Sequence, residues 1–186
     1  MKTIGIMQPY FLPYLGYFHL IKSVDTIVLF DDVKYIKRSW INRNRLIFND
    51  RVEYLSLPLI KDRDYLLIRE REISKDWDYK KIKIFKSMEQ LLRKRPNYSR
   101  GIKLCEEIFN YKDTNLFNFV YHSIYKICKE IEISTKIVKS SSLGDFRHFK
   151  GEKKIIEICK SLNAERYINV IAGEKLYNRN EFKVNG

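Results

Sequence analysis

The sequence is poor in glycine and proline and contains no long apolar run. Seven glycines and four prolines among 186 residues, with aromatic residues at 14%, exclude a disordered or low-complexity chain. No segment approaches the roughly 18 consecutive apolar residues that mark a membrane-spanning helix, so we expect no membrane span. Gln8, Pro9 and Pro13 interrupt the apolar residues near the N-terminus, and no small-residue cleavage site follows. We therefore expect no signal peptide and a cytoplasmic protein.

Cysteine and histidine are also scarce, with three of each. Cys105, Cys128 and Cys159 are odd in number and far apart, which fits neither a zinc motif nor a disulfide framework. Each lies among apolar residues in a helical-looking stretch, so we expect reduced core thiols, with a catalytic thiol as the alternative. The histidines show no metal-ligand spacing, so we predict no histidine metal site, and the cofactor is unknown from the sequence.

Acidic residues are fewer than basic ones, 23 against 36, which gives a net charge of +13. A balance this basic favours an anionic partner such as nucleic acid, an acidic membrane surface or a phosphorylated small molecule. Many of the lysines are scattered along predicted helices, however, and such lysines also suit a solvated surface. The charge therefore favours an anionic ligand without choosing among the three.

Apolar periodicity predicts alternating strands and helices. The predicted strands are Thr3–Met7, Thr26–Phe30, Val52–Leu57, Thr135–Val138 and Tyr167–Ile171, and the predicted helices are Tyr14–Ser23, Trp77–Leu92, Ile102–Phe109, Leu116–Ile131 and Lys153–Leu162. This alternation indicates one α/β domain over residues 1–186, Rossmann-like, with a mostly parallel sheet. The helices at about residues 77–131 would form a helical insertion between strands.

The segment from Gln8 to Gly16 joins the first predicted strand to the first predicted helix. Ligands of parallel sheets gather at such strand ends, and a helix N-terminus there favours phosphate. Gly16 would allow a ligand or a neighbouring strand to approach closely. Gln8, Tyr10, Tyr14 and Tyr17 combine polar tips with flat apolar bodies, which suits a nucleotide or a sugar.

The alternative is that the aromatic residues of this segment pack against the sheet edge. We favour packing for four residues, Phe11, Leu12, Leu15 and Phe18. His19 is a candidate base because it lies in the same helix, although a structural or exposed histidine is the commoner case.

Two adjacent carboxylates, Asp31 and Asp32, end the second predicted strand. They are candidates to bind a metal, a sugar hydroxyl or the basic residues that follow. Because successive residues of a strand face opposite ways, we do not expect both to serve one site. Two later strands are also followed by candidate segments. Ser140–Ser142 is a candidate to contact phosphate. Asn169–Tyr177 is a candidate to close the crevice from its other side.

The stretch YIKRSWINRNR, Tyr35 to Arg45, adds basic residues and a tryptophan after the second strand. Arg38, Arg43 and Arg45 are candidates to hold phosphate, because guanidinium groups bind phosphate in a bidentate manner, and we assign Arg43 and Arg38 to a diphosphate. Trp40 is a candidate to stack on a ring. The alternative is an ion-paired loop whose tryptophan is anchored in the core.

Several of these motifs, in this order, resemble the WbqC-like family of bacterial proteins. The matching elements are Gln8-Pro9, Pro13, YLGYF at Tyr14 to Phe18, Asp31-Asp32, Tyr35, SWINRN at Ser39 to Asn44, SLPL at Ser56 to Leu59, and YIN…GEKLY near the end. The resemblance implies a role in O-antigen or other surface polysaccharide biosynthesis, commonly the modification of an amino sugar. Family members usually continue past the position of Gly186, so the resemblance does not decide whether residues 1–186 contain the complete site.

The function expected from this resemblance is a transferase that acylates or aminoacylates a nucleotide-activated amino sugar, with an unknown donor. The predicted catalytic residues are Asp32 and His19, and the predicted substrate-binding residues are Gln8, Tyr10, Tyr14, Gly16, Tyr17, Asp31, Arg38, Trp40, Asn42, Arg43 and Asn44. Asp32 would accept a sugar hydroxyl or take the proton of an attacking amine, which requires burial to raise its pKa.

A shorter stretch, YLGYFHLI at Tyr14 to Ile21, is similar to the first-helix signature of HIGH-type nucleotidyltransferases. Tyr14 and Tyr17 stand where that signature has histidines. A neutral phenol stabilises a transferring phosphate poorly, so the similarity implies nucleotide binding and not adenylyl transfer. The alternative functions are a non-catalytic nucleotide- or nucleic-acid-binding module and a degenerate nucleotidyltransferase-like protein.

Overall fold

The computed structural model describes residues 1–48, 51–171, 173 and 177–185. Part of the GEKLY motif, Glu174 to Leu176, lies outside these described residues. The chain forms two compact units: residues 1–9, 14–33 and 133–186 form unit 1, and residues 10–13 and 34–132 form unit 2. That the whole chain behaves as one domain stays a prediction.

Strands and helices alternate along most of the chain. In chain order they are β1 (Thr3–Met7), α1 (Leu15–Lys22), β2 (Thr26–Leu29), β3 (Arg43–Phe48), β4 (Arg51–Ser56), α2 (Asp76–Leu92), α3 (Tyr98–Phe109), α4 (Leu116–Glu130), β5 (Lys136–Lys139), α5 (Gly151–Ser161), β6 (Arg166–Ile168) and α6 (Arg179–Val184). Two single turns of 3-10 helix, Ile68–Glu70 and Ser140–Ser142, accompany them. None of the helices in the described part of the chain has the length and apolar character needed to cross a lipid bilayer.

Unit 1 contains a four-stranded sheet in the order β5-β2-β1-β6, and every neighbouring pair is parallel. All four residues of β2 are buried, as expected for a strand covered on both faces. One core cluster joins Ile4 and Ile6 of β1 to Ile155 and Ile158 of α5. The prediction of a mixed α/β, Rossmann-like fold with a mostly parallel sheet is confirmed.

Helix α1 follows β1 and spans Leu15–Lys22, one residue shorter at each end than the predicted helix Tyr14–Ser23. Tyr17 and Phe18 are buried, and so are Leu20 and Ile21. Leu15 is 66% exposed, so the expectation that it packs is wrong. It is the first residue of the helix, and the buried face starts only at Tyr17.

Unit 2 contains the β3–β4 hairpin, α2, α3 and α4. The strand predicted at Val52–Leu57 is β4, but it pairs antiparallel with β3 and not with the parallel sheet. Strand β3 covers Arg43 to Arg45, so the alternative of an ion-paired loop is wrong for that part of the stretch, whereas Lys37 in the preceding part does form an ion pair with Asp64. The β3 sequence, RNRLIF, is polar in its first half and apolar in its second half, so no alternation marks it as a strand.

The core of unit 2 is an aromatic cluster. Phe11 lies 6.5 Å from Trp77, 6.5 Å from Phe109 and 6.3 Å from Phe119, measured between ring centroids. Trp77 meets Phe109 and Phe119 edge to face, at 5.4 and 5.6 Å. The side chain of Phe11 is completely buried, which confirms the expectation that it packs. A residue from the N-terminal segment thus completes a core built mainly by α2, α3 and α4.

Candidate functional site

Five side chains meet beyond the carboxyl ends of β2 and β5, within unit 1. We call them the carboxyl-edge cluster: Asp31, Asp32, Ser140, Ser141 and Lys154. The hydroxyl oxygen of Ser140 lies 2.9 Å from Asp31 Oδ1 and 2.5 Å from Asp32 Oδ1. Asp31 also accepts from the backbone N–H of Ser141 at 2.9 Å and from its hydroxyl at 2.5 Å. Lys154 Nζ donates to Asp32 Oδ2 at 2.9 Å.

This cluster is buried and contains more acid than base. Asp31 and Asp32 are 2% and 4% exposed, and Lys154 is buried with its ammonium 5.3 Å from the ring centroid of Phe30. One ammonium thus faces two carboxylates. Because a hydroxyl has one proton, Ser140 can donate to only one of its two carboxylate neighbours at a time. The cluster ties the end of β2 to the turn after β5 and to the first turn of α5.

The structure corrects the expectation that Asp31 and Asp32 point to different sites. Strand β2 ends at Leu29, so the alternation of a strand no longer applies to the two aspartates. Both reach Ser140, and the basic partner of Asp32 is Lys154 of α5 and not a residue of the stretch that follows.

Around the β1–α1 connection, the predicted binding residues Tyr14 and Tyr17 contact other residues of the same segment. The Tyr17 hydroxyl donates to the backbone oxygen of Gln8 at 2.9 Å, from a fully buried side chain. Tyr14 is exposed, and its ring lies over Gly16, so that a Cβ at this position would clash with Tyr14 Cε2. The group that approaches Gly16 is therefore Tyr14 itself. His19 is exposed on α1.

In unit 2 the two predicted asparagines hold backbone segments. Asn42 accepts from the Tyr35 hydroxyl at 2.8 Å and donates to the Leu57 carbonyl at 3.0 Å. Asn44 donates to the carbonyl oxygens of Phe11, at 3.1 Å, and of Leu12. These contacts fix the hairpin on the segment that carries Phe11.

The other predicted residues of unit 2 differ in exposure. Arg38 is exposed with a left-handed backbone (φ 58°), and Tyr10 is half-buried. Trp40 is 38% exposed, so it is not anchored in the core, and the guanidinium carbons of Arg43 and Arg45 lie 5.9 and 5.6 Å from its ring centroid. A role in substrate binding for the predicted residues of both units stays a prediction.

A cavity of about 660 Å³ lies in unit 1 where β6 ends; we call it the β6 cavity. Its lining includes Tyr167, Asn169, Tyr177, Arg179, Phe182 and Lys183. Tyr167 stacks on Phe182 at 5.5 Å, and Tyr177 meets the same ring at 6.0 Å, nearly perpendicular. Burial raises the pKa of Tyr167, and also that of Tyr177, so both hydroxyls stay protonated at neutral pH.

Sequence reasoning missed the α6 side of this cavity, which contributes Arg179, Phe182 and Lys183. A signal was present: Asn178 followed three residues later by Glu181 is a helix-start pattern. The structure shows the cap, since Asn178 Oδ1 accepts from the backbone N–H of Asn180 at 3.0 Å.

All three cysteines are expected to react slowly with iodoacetamide at pH 8 in the native protein. Burial raises the pKa of Cys105, Cys128 and Cys159 to about 11 each, from an ordinary 9.0. The thiolate fraction at pH 8 then falls roughly a hundredfold, and the thiolate is the reactive form. Mass spectrometry of alkylated peptides, native against urea-unfolded, measures this. One cysteine that reacts equally fast in both states would restore the catalytic-thiol alternative.

Comparison with known proteins places the chain in a family. The uncharacterized protein Rv1507c of Mycobacterium tuberculosis (strain ATCC 25618 / H37Rv) is 28% identical over 175 residues, which cover 91% of this chain and 72% of that protein. No solved structure matches the chain. The sequence model of the WbqC-like protein family matches residues 8–186. Because this match covers nearly the whole chain, the protein belongs to the WbqC-like family.

Proposed function

We propose that this protein is a transferase that acts on a nucleotide-activated amino sugar and adds an acyl or aminoacyl group to its amine. The β6 cavity is the observation that carries the proposal. The family supports a place in surface polysaccharide biosynthesis, since the motifs resemble proteins of such pathways. The cavity supports the class of substrate.

The β6 cavity combines the groups that a nucleotide-sugar requires. It opens at the carboxyl end of a parallel strand, where ligands of such sheets bind. Its volume of about 660 Å³ lies within the range of roughly 300–1,000 Å³ that is usual for small-molecule sites. Tyr167, Tyr177 and Phe182, packed on one another, form an aromatic wall for a sugar or base, and Arg179 and Lys183 offer positive charge to a diphosphate.

Acyl transfer to an amine forms a C–N bond, releases the donor's leaving group with its electron pair, and requires a base to take a proton from nitrogen. Asp32 is enclosed by protein partners, with Ser140 on Oδ1 and Lys154 on Oδ2. We therefore assign Asp31 and Asp32 a positioning role at the carboxyl edge. His19 is exposed on α1 and is not among the residues that line the β6 cavity, so its role as base stays a prediction.

Replacing Lys183 with alanine is expected to weaken binding of UDP-linked amino sugars about tenfold. The reason is the loss of one charged hydrogen-bond donor for the diphosphate. Isothermal titration calorimetry with UDP-, dTDP- and CMP-linked amino sugars measures the dissociation constants.

The matched control for this experiment is Lys153→Ala. Lys153 is exposed on α5 in the same unit and is not part of the cavity lining, so its loss removes the same charge without the contact. Equal losses for the two variants, or no binding of any nucleotide-sugar to the unmodified protein, would contradict the proposal.

A further inference from the structure

One side of the β3–β4 hairpin presents cations and aromatic rings together. We call this set the hairpin face: Trp40, Arg43, Arg45 and Tyr54. In the register of the hairpin, Arg45 lies directly opposite Tyr54, and Arg43 is two residues away on the same side of β3. The other side of the hairpin contains Asn44, whose amide contacts the Phe11 and Leu12 carbonyls. The hairpin face is therefore the outward side.

The two arginines of the hairpin face contact rings and not carboxylates. The Arg43 guanidinium carbon lies 5.0 Å from the Tyr54 ring centroid and 5.9 Å from that of Trp40, and Arg45 lies 5.6 Å from Trp40. Within residues 1–48 and 51–171 neither arginine forms an ion pair with an acidic side chain. A guanidinium held against a ring keeps N–H groups at its edge for a phosphate.

The sequence of unit 2, to which the hairpin face belongs, is strongly basic. From residue 34 to residue 48 the sequence has five basic residues and no acidic one. Residues 34–132 contain 23 lysines and arginines against 14 aspartates and glutamates, which is +9 of the total charge of +13. The complementary partner is a polyanion.

We propose that the hairpin face binds single-stranded nucleic acid. Trp40 and Tyr54 are 38% and 55% exposed, so bases that are not paired in a duplex can stack on them. Arg43 and Arg45 are separated by about 7 Å along the strand, which suits successive phosphates of a polymer better than the adjoining phosphates of one nucleotide. This activity is separate from the proposed transferase reaction.

Fluorescence anisotropy with a labelled short oligothymidylate, measured over a range of salt concentrations, tests the proposal. Tyr54→Ala is expected to weaken binding roughly tenfold or more, because one base loses its stacking partner. Arg45→Ala is expected to lower the slope of log K against log salt by about 0.7, the value for one lost phosphate contact on a single strand. Arg45→Lys keeps the charge and is expected to keep the slope.

Matched controls come from helix α2 of the same unit. Tyr79 is 79% exposed and Arg93 is exposed at the helix end, so Tyr79→Ala and Arg93→Ala remove the same groups elsewhere. Both are expected to bind as the unmodified protein does. The proposal is overturned if the controls lose as much affinity as the hairpin variants, if the oligonucleotide does not bind, or if free UDP displaces it at equal nucleotide concentration.

Discussion

Replacement of Lys154 with methionine is expected to lower the free energy of unfolding by about 3–5 kcal/mol, the usual cost of removing one partner from a buried ion pair. Asp32 is 4% exposed and would lose the ammonium that lies 2.9 Å from its Oδ2. Asp31 lies in the same cluster and would add a second carboxylate without a cation. Urea denaturation followed by circular dichroism measures the change.

Two variants separate this effect from a general loss of helix α5. Lys153→Met removes a neighbouring exposed lysine from the same helix and is expected to change stability by no more than about 0.5 kcal/mol. Lys154→Met combined with Asp32→Asn removes both charges and is expected to recover part of the loss. The single variant Asp32→Asn completes the comparison. If the double variant loses as much stability as Lys154→Met and Asp32→Asn added together, the ion pair between Lys154 and Asp32 is not the source of the loss.

Replacement of Phe11 with alanine is expected to cost about 3–5 kcal/mol, the range for deleting a buried phenylalanine. Its ring is fully buried and lies within 6.5 Å of three other aromatic rings of unit 2, so the substitution would open a cavity among Trp77, Phe109 and Phe119. Thermal and urea unfolding measure the loss, and native tryptophan fluorescence, measured in a Trp40→Phe background, reports on the surroundings of Trp77.

Leu15→Ala is the control for Phe11→Ala. Leu15 is an apolar residue four positions later in the sequence, but it is 66% exposed. We expect a change within about 0.5 kcal/mol, since little apolar surface is newly exposed to water. If both variants lose similar stability, the loss in Phe11→Ala does not come from the buried position of the Phe11 ring.

Most elements of the fold are predictable from local pattern. Strand β1 has its predicted limits, and α2 and α4 differ from theirs by one residue at one end. These segments are long or strongly apolar, so neighbouring residues alone determine them. The prediction for Leu15 is wrong because a periodic pattern shows which face of a helix is buried, but not at which residue the buried part of that face begins.

The candidate site was less predictable because its contacts join distant parts of the sequence. Asp31 and Asp32 were recognised, but their partner Ser140 is more than 100 residues away, as is Lys154. The amide of Asn44 is polar and lies in a family motif, so a ligand role was predicted for it. Its contacts with backbone carbonyls depend on a segment more than 30 residues earlier, which no local pattern indicates.

The membership of residues 10–13 in unit 2 restricts how the gene can be divided. A fragment that runs from residue 34 to residue 132 would be encoded without Phe11, and the amide of Asn44 would have no Phe11 or Leu12 carbonyl to contact. Expressed alone, such a fragment would have a cavity in its aromatic core at the position of the Phe11 ring. Truncation or domain-exchange experiments therefore need to supply the tetrapeptide from Tyr10 to Pro13, either by a linker or as a separate peptide.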